Sequence, residues 1–166
     1  MQKNRKDLIK IITLTGVMAA LYVVFVLLFG DLSFGFSGFI SFRVAEILIP
    51  LCCFDKKFIP GAILGCFVAN LFGGQAVDII FGTIQSTLTV FALYYIKNKY
   101  IALLVGSLLC GVIIGTELMA LGFSTIGYWI IFTTFIGETF ILFLGYLIAK
   151  RCFFSLNSKI IGKKYN

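Results

Sequence analysis

The chain has no histidine, and only 13% of its 166 residues are charged. Without histidine there is no imidazole general base or proton relay, and mixed Cys/His metal sites fall away. Five cysteines (Cys52, Cys53, Cys66, Cys110 and Cys152) form no C-x-x-C pair, which removes the thiolate zinc and iron–sulfur frameworks. They read as small apolar packing residues, and no metal or cofactor is expected. A Gly-x-x-x-x-Gly-Lys-Ser/Thr loop is absent, and no soluble stretch is long enough to house a nucleotide-binding fold. Strict apolar/polar alternation is missing too, which argues against a β-barrel. No internal repeat is visible, so an inverted-repeat architecture finds no support.

What fills the chain is apolar: 60% of it is hydrophobic, and its mean hydropathy is +1.06. A soluble domain carries roughly a quarter charged residues. Here the charges only punctuate runs of Leu, Ile, Val, Phe and Gly. Such runs read as membrane-spanning helices, because in hydrocarbon every backbone group must be bonded internally. The expected fold is all-α, a polytopic membrane protein of six transmembrane helices forming one integral membrane domain over residues 1–166. The runs lie at about 11–29, 40–54, 58–72, 76–96, 101–121 and 125–149. The first is too long for the core of a signal peptide and is read as a transmembrane helix.

The net charge of +7 does not point to nucleic acid, because the basic residues sit at the ends of apolar runs. Six crossings would put the N-terminus, the 2–3 and 4–5 loops and the C-terminus on one side. That side would collect 13 of the 14 Lys and Arg residues, so both termini are expected in the cytoplasm of a cell-membrane protein. The second and third runs are short. A re-entrant hairpin would bury Asp55, Lys56 and Lys57 at roughly 2.5–3.5 kcal/mol per charge, so two short crossings are preferred.

Five ionisable residues fall inside the runs: Arg43, Glu46, Asp78, Glu117 and Glu138. Charges in a bilayer are costly and mark functional sites by default. Arg43 and Glu46, three residues apart, share a face and can pair. Asp78 opens the fourth run, Glu117 ends the fifth, and Asn70 stands near the outer end of the third. Glu138 lies deeper, about 20 Å along the sixth at 1.5 Å per residue. An internal ion pair, a helix cap at Asp78 and snorkelling by Glu117 would account for these residues one at a time. Taken together, one cation faces four acids, so either some acids are protonated or a cationic or donor-rich group completes the site. Phe34, Phe36, Phe39, Phe42, Tyr128 and Trp129 surround the same region. They read as an interfacial belt or as the walls of a pocket for a flat aromatic ligand. Small-x-x-x-small pairs mark close helix contacts: Thr15/Ala19 and Gly16/Ala20 in the first run, Gly61/Gly65 in the third and Gly111/Gly115 in the fifth.

These residues in order carry a family resemblance: Phe42-Arg43-Val44-Ala45-Glu46-Ile47-Leu48, then Ile59-Pro60-Gly61, Gly65-Cys66, Ala69-Asn70 and Asp78-Ile79-Ile80-Phe81-Gly82-Thr83. The set resembles the queuosine-precursor transporter (QueT-type) family. These proteins are substrate-binding S components of energy-coupling factor (ECF) importers. The resemblance spans about residues 12–150. It implies a six-helix membrane subunit that captures a 7-deazaguanine, such as queuine or an aminomethyl or nitrile precursor, from outside. It also implies a transmembrane coupling subunit and two cytoplasmic ATPase subunits as partners, with no catalysis by this chain. The expected binding residues are Arg43, Glu46, Asn70, Asp78, Glu117, Trp129 and Glu138. The expected docking surface is Thr15, Gly16, Ala19 and Ala20, where such subunits often carry Ala-x-x-x-Ala. Alternatives are an S component for another vitamin, an intramembrane enzyme, or a small channel or scaffold. Absent histidine, a metal set or a nucleophile–base pair weighs against an enzyme.

Overall fold

The computed structural model describes residues 2–30, 43–73, 76–122 and 127–162. The loop after the first run, with Phe34, Phe36, Phe39 and Phe42, lies outside the described residues, as does the start of the second run. The described chain is helical: α1 (Gln2–Phe29), a 3₁₀ segment (Val44–Cys53) with a short 3₁₀ turn (Lys56–Phe58), α2 (Ile59–Gly73), α3 (Ala76–Tyr95), α4 (Lys99–Ala120) and α5 (Gly127–Gly162).

Helix α1 starts at Gln2, well before the first apolar run, and α5 continues beyond residue 149. Lys, Arg and Gln are good helix formers, so charge marks where a helix leaves hydrocarbon without ending it. True ends carry chemical stops. Asn98 caps α4 by accepting from the Tyr100 and Ile101 amides at 3.1 and 3.4 Å. Gly122, with φ of 79°, follows its last turn in the left-handed conformation that glycine adopts without strain.

Among the described residues, four helices are long and apolar enough to cross a membrane, namely those within residues 5–29, 76–95, 99–120 and 128–155. The two elements between them are shorter than the six-span expectation requires. At about 2.0 Å per residue the 3₁₀ segment extends roughly 20 Å, and α2 at 1.5 Å per residue roughly 22 Å. The hydrocarbon core is about 30 Å thick.

The second run is not the α-helix expected of it. Pro50 lies inside, and an α-helix there would lose an amide bond and clash with the carbonyl four residues earlier. The segment winds as 3₁₀, beginning with the Glu46 amide donating to the Arg43 carbonyl at 2.8 Å. With three residues per turn, positions three apart eclipse. Arg43, Glu46, Ile49 and Cys52 are accordingly all buried in one straight stripe. An α-helix would carry Cys52 to the opposite side from Arg43.

The helices form a ring in chain order, with α1 on α2, α2 on α3, α3 on α4 and α4 on α5. The 3₁₀ segment closes it, touching α1, α3 and α5. Hydrocarbon supplies no hydrophobic drive between helices, so close backbone approach does the work. Gly61 and Gly65 of α2 meet Thr15, Met18, Ala19 and Tyr22 of α1, while Gly111 and Gly115 of α4 meet Ile131 and Phe135 of α5. Gly145 of α5 seats the 3₁₀ segment, because a Cβ there would run into the Ile47 carbonyl oxygen.

Candidate functional site

Helix α3 presents Asp78, Gly82, Gln85, Ser86 and Thr89 to the interior. The spacing of four, three, one and three residues is that of one helical face. Opposite stands the Arg43–Glu46–Ile49–Cys52 stripe. Between these two faces the chain places its buried polar network.

Glu46 is fully buried and well supplied with donors. Arg43 Nε stands 3.4 Å from its Oε1. Ser86 Oγ donates to the same oxygen at 2.9 Å, and Gln85 Nε2 donates to Oε2 at 3.3 Å. Gln85 is held from both sides, its Oε1 accepting from Arg43 Nη1 at 3.3 Å and its Nε2 also reaching Thr89 Oγ1 at 3.1 Å. The Cys66 thiol donates to Ser86 Oγ at 3.2 Å. Asn70 Nδ2 donates to the Asp78 carbonyl at 3.1 Å and tethers the C-terminal end of α2 to the N-terminal end of α3. Gly82 makes room for this crossing: a Cβ there would lie 2.8 Å from Asn70 Nδ2 and 2.9 Å from Arg43 Nη2.

The other acids are not supplied in this way. Glu117 is 6% exposed and Glu138 1%, yet no described amide, hydroxyl or guanidinium group hydrogen-bonds either oxygen of either carboxyl. Their neighbours are largely other acids. Glu117 faces Asp78, and Glu138 faces Glu46 and the Cys110 thiol, with Arg43 interacting with both. Two further buried oxygens without partners, Thr83 Oγ1 and Thr134 Oγ1, lie next to Gly82 and one turn from Glu138. A buried unpaired polar group costs about 1–3 kcal/mol, more when charged, and hydrocarbon offers no water to relieve it. Beside Glu117, between α3 and α4, is a cavity of about 340 Å³ lined by Val77, Phe81, Thr116, Glu117, Ala120 and Leu121.

The model of the QueT transporter family matches residues 12–152. The chain belongs to the QueT transporter family. It is similar to the queuosine precursor transporter QueT of Lactococcus lactis subsp. cremoris (strain MG1363), at 36% identity over 71 residues. That match covers 43% of this chain and 41% of the relative, so it extends over less than half of either. No solved structure matches the chain. With four helices of spanning length, this member of the QueT family is a multi-pass membrane protein.

Within this QueT-family fold, the residues singled out in the sequence separate into groups. Arg43, Glu46, Asn70, Asp78, Glu117 and Glu138 are all buried and converge between the 3₁₀ segment and α2–α5. Trp129 does not join them: it is 55% exposed, and its ring lies against Phe132 at 5.7 Å. The α1 stripe divides in two. Thr15 and Ala19 face Gly61 and Gly65 of α2, whereas Gly16 has nothing within 4 Å of a Cβ built on it, and Ala20 beside it is exposed. Gln85, Ser86 and Cys66 were not expected in the site. The first two complete the polar stripe of α3 at helical spacing, which was the available signal.

Proposed function

We propose that the chain is the substrate-capturing S component of an ECF-type importer for a queuosine precursor, binding a 7-deazaguanine between the 3₁₀ segment and α2–α5. The observation that carries this reading is the split among the buried acids. Glu46 is saturated by Arg43, Gln85 and Ser86, while Glu117 and Glu138 have no amide, hydroxyl or guanidinium donor among the described residues. A site of this kind is completed by a ligand rich in N–H groups. The guanine-like edge of a 7-deazaguanine offers adjacent N–H donors, and a carboxylate accepts them as a charge-assisted pair. Glu138 is the acceptor for that edge. Glu46 is a positioning residue that fixes the Arg43 guanidinium, and Arg43 or Asn70 serves the ligand carbonyl.

Six crossings with both termini in the cytoplasm fit this role, with the short 3₁₀ segment and α2 as the central pair. The polar cluster then opens to the outer side. Gly16 and Ala20, left uncovered on α1, are the surface on which a transmembrane coupling subunit would dock. ATP hydrolysis belongs to two cytoplasmic partner subunits.

The test is calorimetric titration of the purified chain in detergent with queuine and with the aminomethyl and nitrile precursors, with guanine as control. Saturable binding of at least one 7-deazaguanine, abolished by Glu138→Ala, is the expected result. A folded chain that binds none of them overturns the substrate assignment.

A further inference from the structure

The acids of the site fall into two separate groupings, and one of them borders a cavity. Glu138 faces inward toward Glu46 and Cys110. Glu117 faces Asp78 across the α3–α4 contact and lines the cavity of about 340 Å³ beside it. Asp78 is 7% exposed and Glu117 6%. Apart from the facing Asp78 carboxyl, neither oxygen of Glu117 has a hydrogen-bond partner among the described residues. The remainder of the cavity wall is Val77, Phe81, Thr116, Ala120 and Leu121, which contributes no positive charge. Two facing acids beside an apolar hollow with no lysine or arginine in its lining, offset by Arg43 alone, form a good receptor for a second cation. An ammonium group suits it better than a metal ion, since the described residues hold no group of three metal-ligating side chains and two carboxylates leave a hard cation largely unligated.

We infer that Asp78 and Glu117 form a subsite for a protonated amine on the ligand, so that the transporter selects cationic over neutral forms of its substrate. The inference rests on the 7-deazaguanine reading and adds a second point of recognition to it. A 7-deazaguanine carries its N–H donors on the six-membered ring and its 7-substituent on the five-membered ring. Its two ends therefore need two separate acceptors, Glu138 for one and the Asp78–Glu117 pair for the other. An aminomethyl group places a protonated amine at the second end, and a nitrile places none there. Val77 and Phe81 would flank the methylene. The Thr116 side chain is already committed, its Oγ1 donating to the Val112 carbonyl at 2.6 Å, so the carboxyl pair alone answers the charge.

The test compares 7-aminomethyl-7-deazaguanine with its 7-cyano counterpart by calorimetric titration of the full chain in detergent, wild type against Glu117→Gln. The amide is nearly isosteric, and a melting curve establishes that the variant is folded. Asp78→Asn serves as the second variant should Glu117→Gln fail to fold. The expected result is at least tenfold tighter binding of the aminomethyl form by wild type. That preference should collapse in the variant, the aminomethyl form losing at least tenfold more affinity than the nitrile. Equal affinity for both ligands in wild type, or equal weakening of both in the variants, overturns the subsite and leaves the 7-deazaguanine reading intact. Failure of folded wild type to bind either ligand overturns that reading and the subsite with it.

Discussion

Replacing Gly82 by alanine separates the stability of the bundle from the competence of its site. In a helix interior alanine is favoured over glycine by about 0.8–1.0 kcal/mol, so on local grounds Gly82→Ala should stabilise α3. The surroundings oppose this. The added Cβ would lie 2.8 Å from Asn70 Nδ2, and 2.9 and 3.3 Å from the two terminal nitrogens of Arg43. Comfortable contacts are about 3.5–4.0 Å, so these groups must retreat from α3 by roughly 0.5–1 Å. Both are the far ends of side chains and can do so without moving backbone. The retreat takes Arg43 Nη1 away from Gln85, which sits on the same helix and is already 3.3 Å distant. It also strains the 3.1 Å bond from Asn70 to the Asp78 carbonyl.

A hydrogen bond to a charged group contributes about 1.5–3 kcal/mol. Set against the gain in helix propensity, the net cost to stability is about 0.5–2 kcal/mol, a modest drop in melting temperature in detergent. Under the proposed function ligand affinity has no such offset, because Arg43 and Asn70, the two groups offered to the ligand carbonyl, are both turned from their places. The expected loss is about ten- to a hundredfold. Thermal melting together with calorimetric titration of a 7-deazaguanine measures both. Gly16→Ala, made where a Cβ meets open space, is the control. Wild-type affinity in a folded Gly82→Ala chain would refute the reasoning, since it would place Arg43 away from the ligand.

Gly145→Ala should weigh mainly on stability, because its Cβ meets the Ile47 backbone carbonyl, which cannot swing aside. The expected cost is about 1–3 kcal/mol, read as a lowered melting temperature, and an unchanged melt would contradict the seat of the 3₁₀ segment. Ser86→Ala withdraws the 2.9 Å donor from Glu46 and should destabilise the chain by about 1–3 kcal/mol, with melting again the measure. Gly16→Leu should leave the melt of the isolated chain unchanged yet abolish co-purification with a coupling subunit, whereas Gly65→Leu, pressed on Tyr22 and Ala19, should unfold it. If Gly16→Leu still co-purifies, docking lies elsewhere. Of the five cysteines, Cys152 is exposed while Cys52, Cys66 and Cys110 are buried. A membrane-impermeant maleimide should therefore label Cys152 in inside-out vesicles and not in intact cells; labelling from outside would reverse the proposed topology.

How far the sequence discloses this arrangement depends on the kind of signal each residue carries. Long apolar runs announce α1, α3, α4 and α5, because a bilayer imposes length and polarity together. Arg43, Glu46, Asp78, Glu117 and Glu138 announce themselves because ionisable groups in hydrocarbon are rare. The 3₁₀ winding of the second run was hidden, since a three-residue spacing such as Arg43–Glu46 fits both helix types. Only the continuation to Ile49 and Cys52, with Pro50 between, separates them. Gln85, Ser86 and Cys66 were hidden for a different reason: uncharged polar side chains in an apolar run raise no alarm singly. Trp129 carried the opposite ambiguity, its aromatic ring suiting a pocket wall and a membrane interface equally.

The polar stripe of α3 also bears on where recognition stops and support begins. In a soluble helix the polar face turns outward. Here Asp78, Gly82, Gln85, Ser86 and Thr89 all turn inward, because lipid cannot hydrogen-bond and only the interior can. From Asp78 to Thr89 the stripe extends about 17 Å at 1.5 Å per residue, more than the width of a fused two-ring base. One ligand cannot contact all of it. The lower part is saturated internally, Gln85 by Arg43, Glu46 and Thr89, and Ser86 by Glu46 and Cys66. At the other end, Asp78 faces Glu117, which lines the cavity between α3 and α4. The unmet hydrogen-bonding capacity of α3 and α4 is therefore concentrated where the N-terminus of α3 meets the C-terminus of α4. The glutamine–serine layer beneath it acts as the floor that holds Arg43 and Glu46 in register.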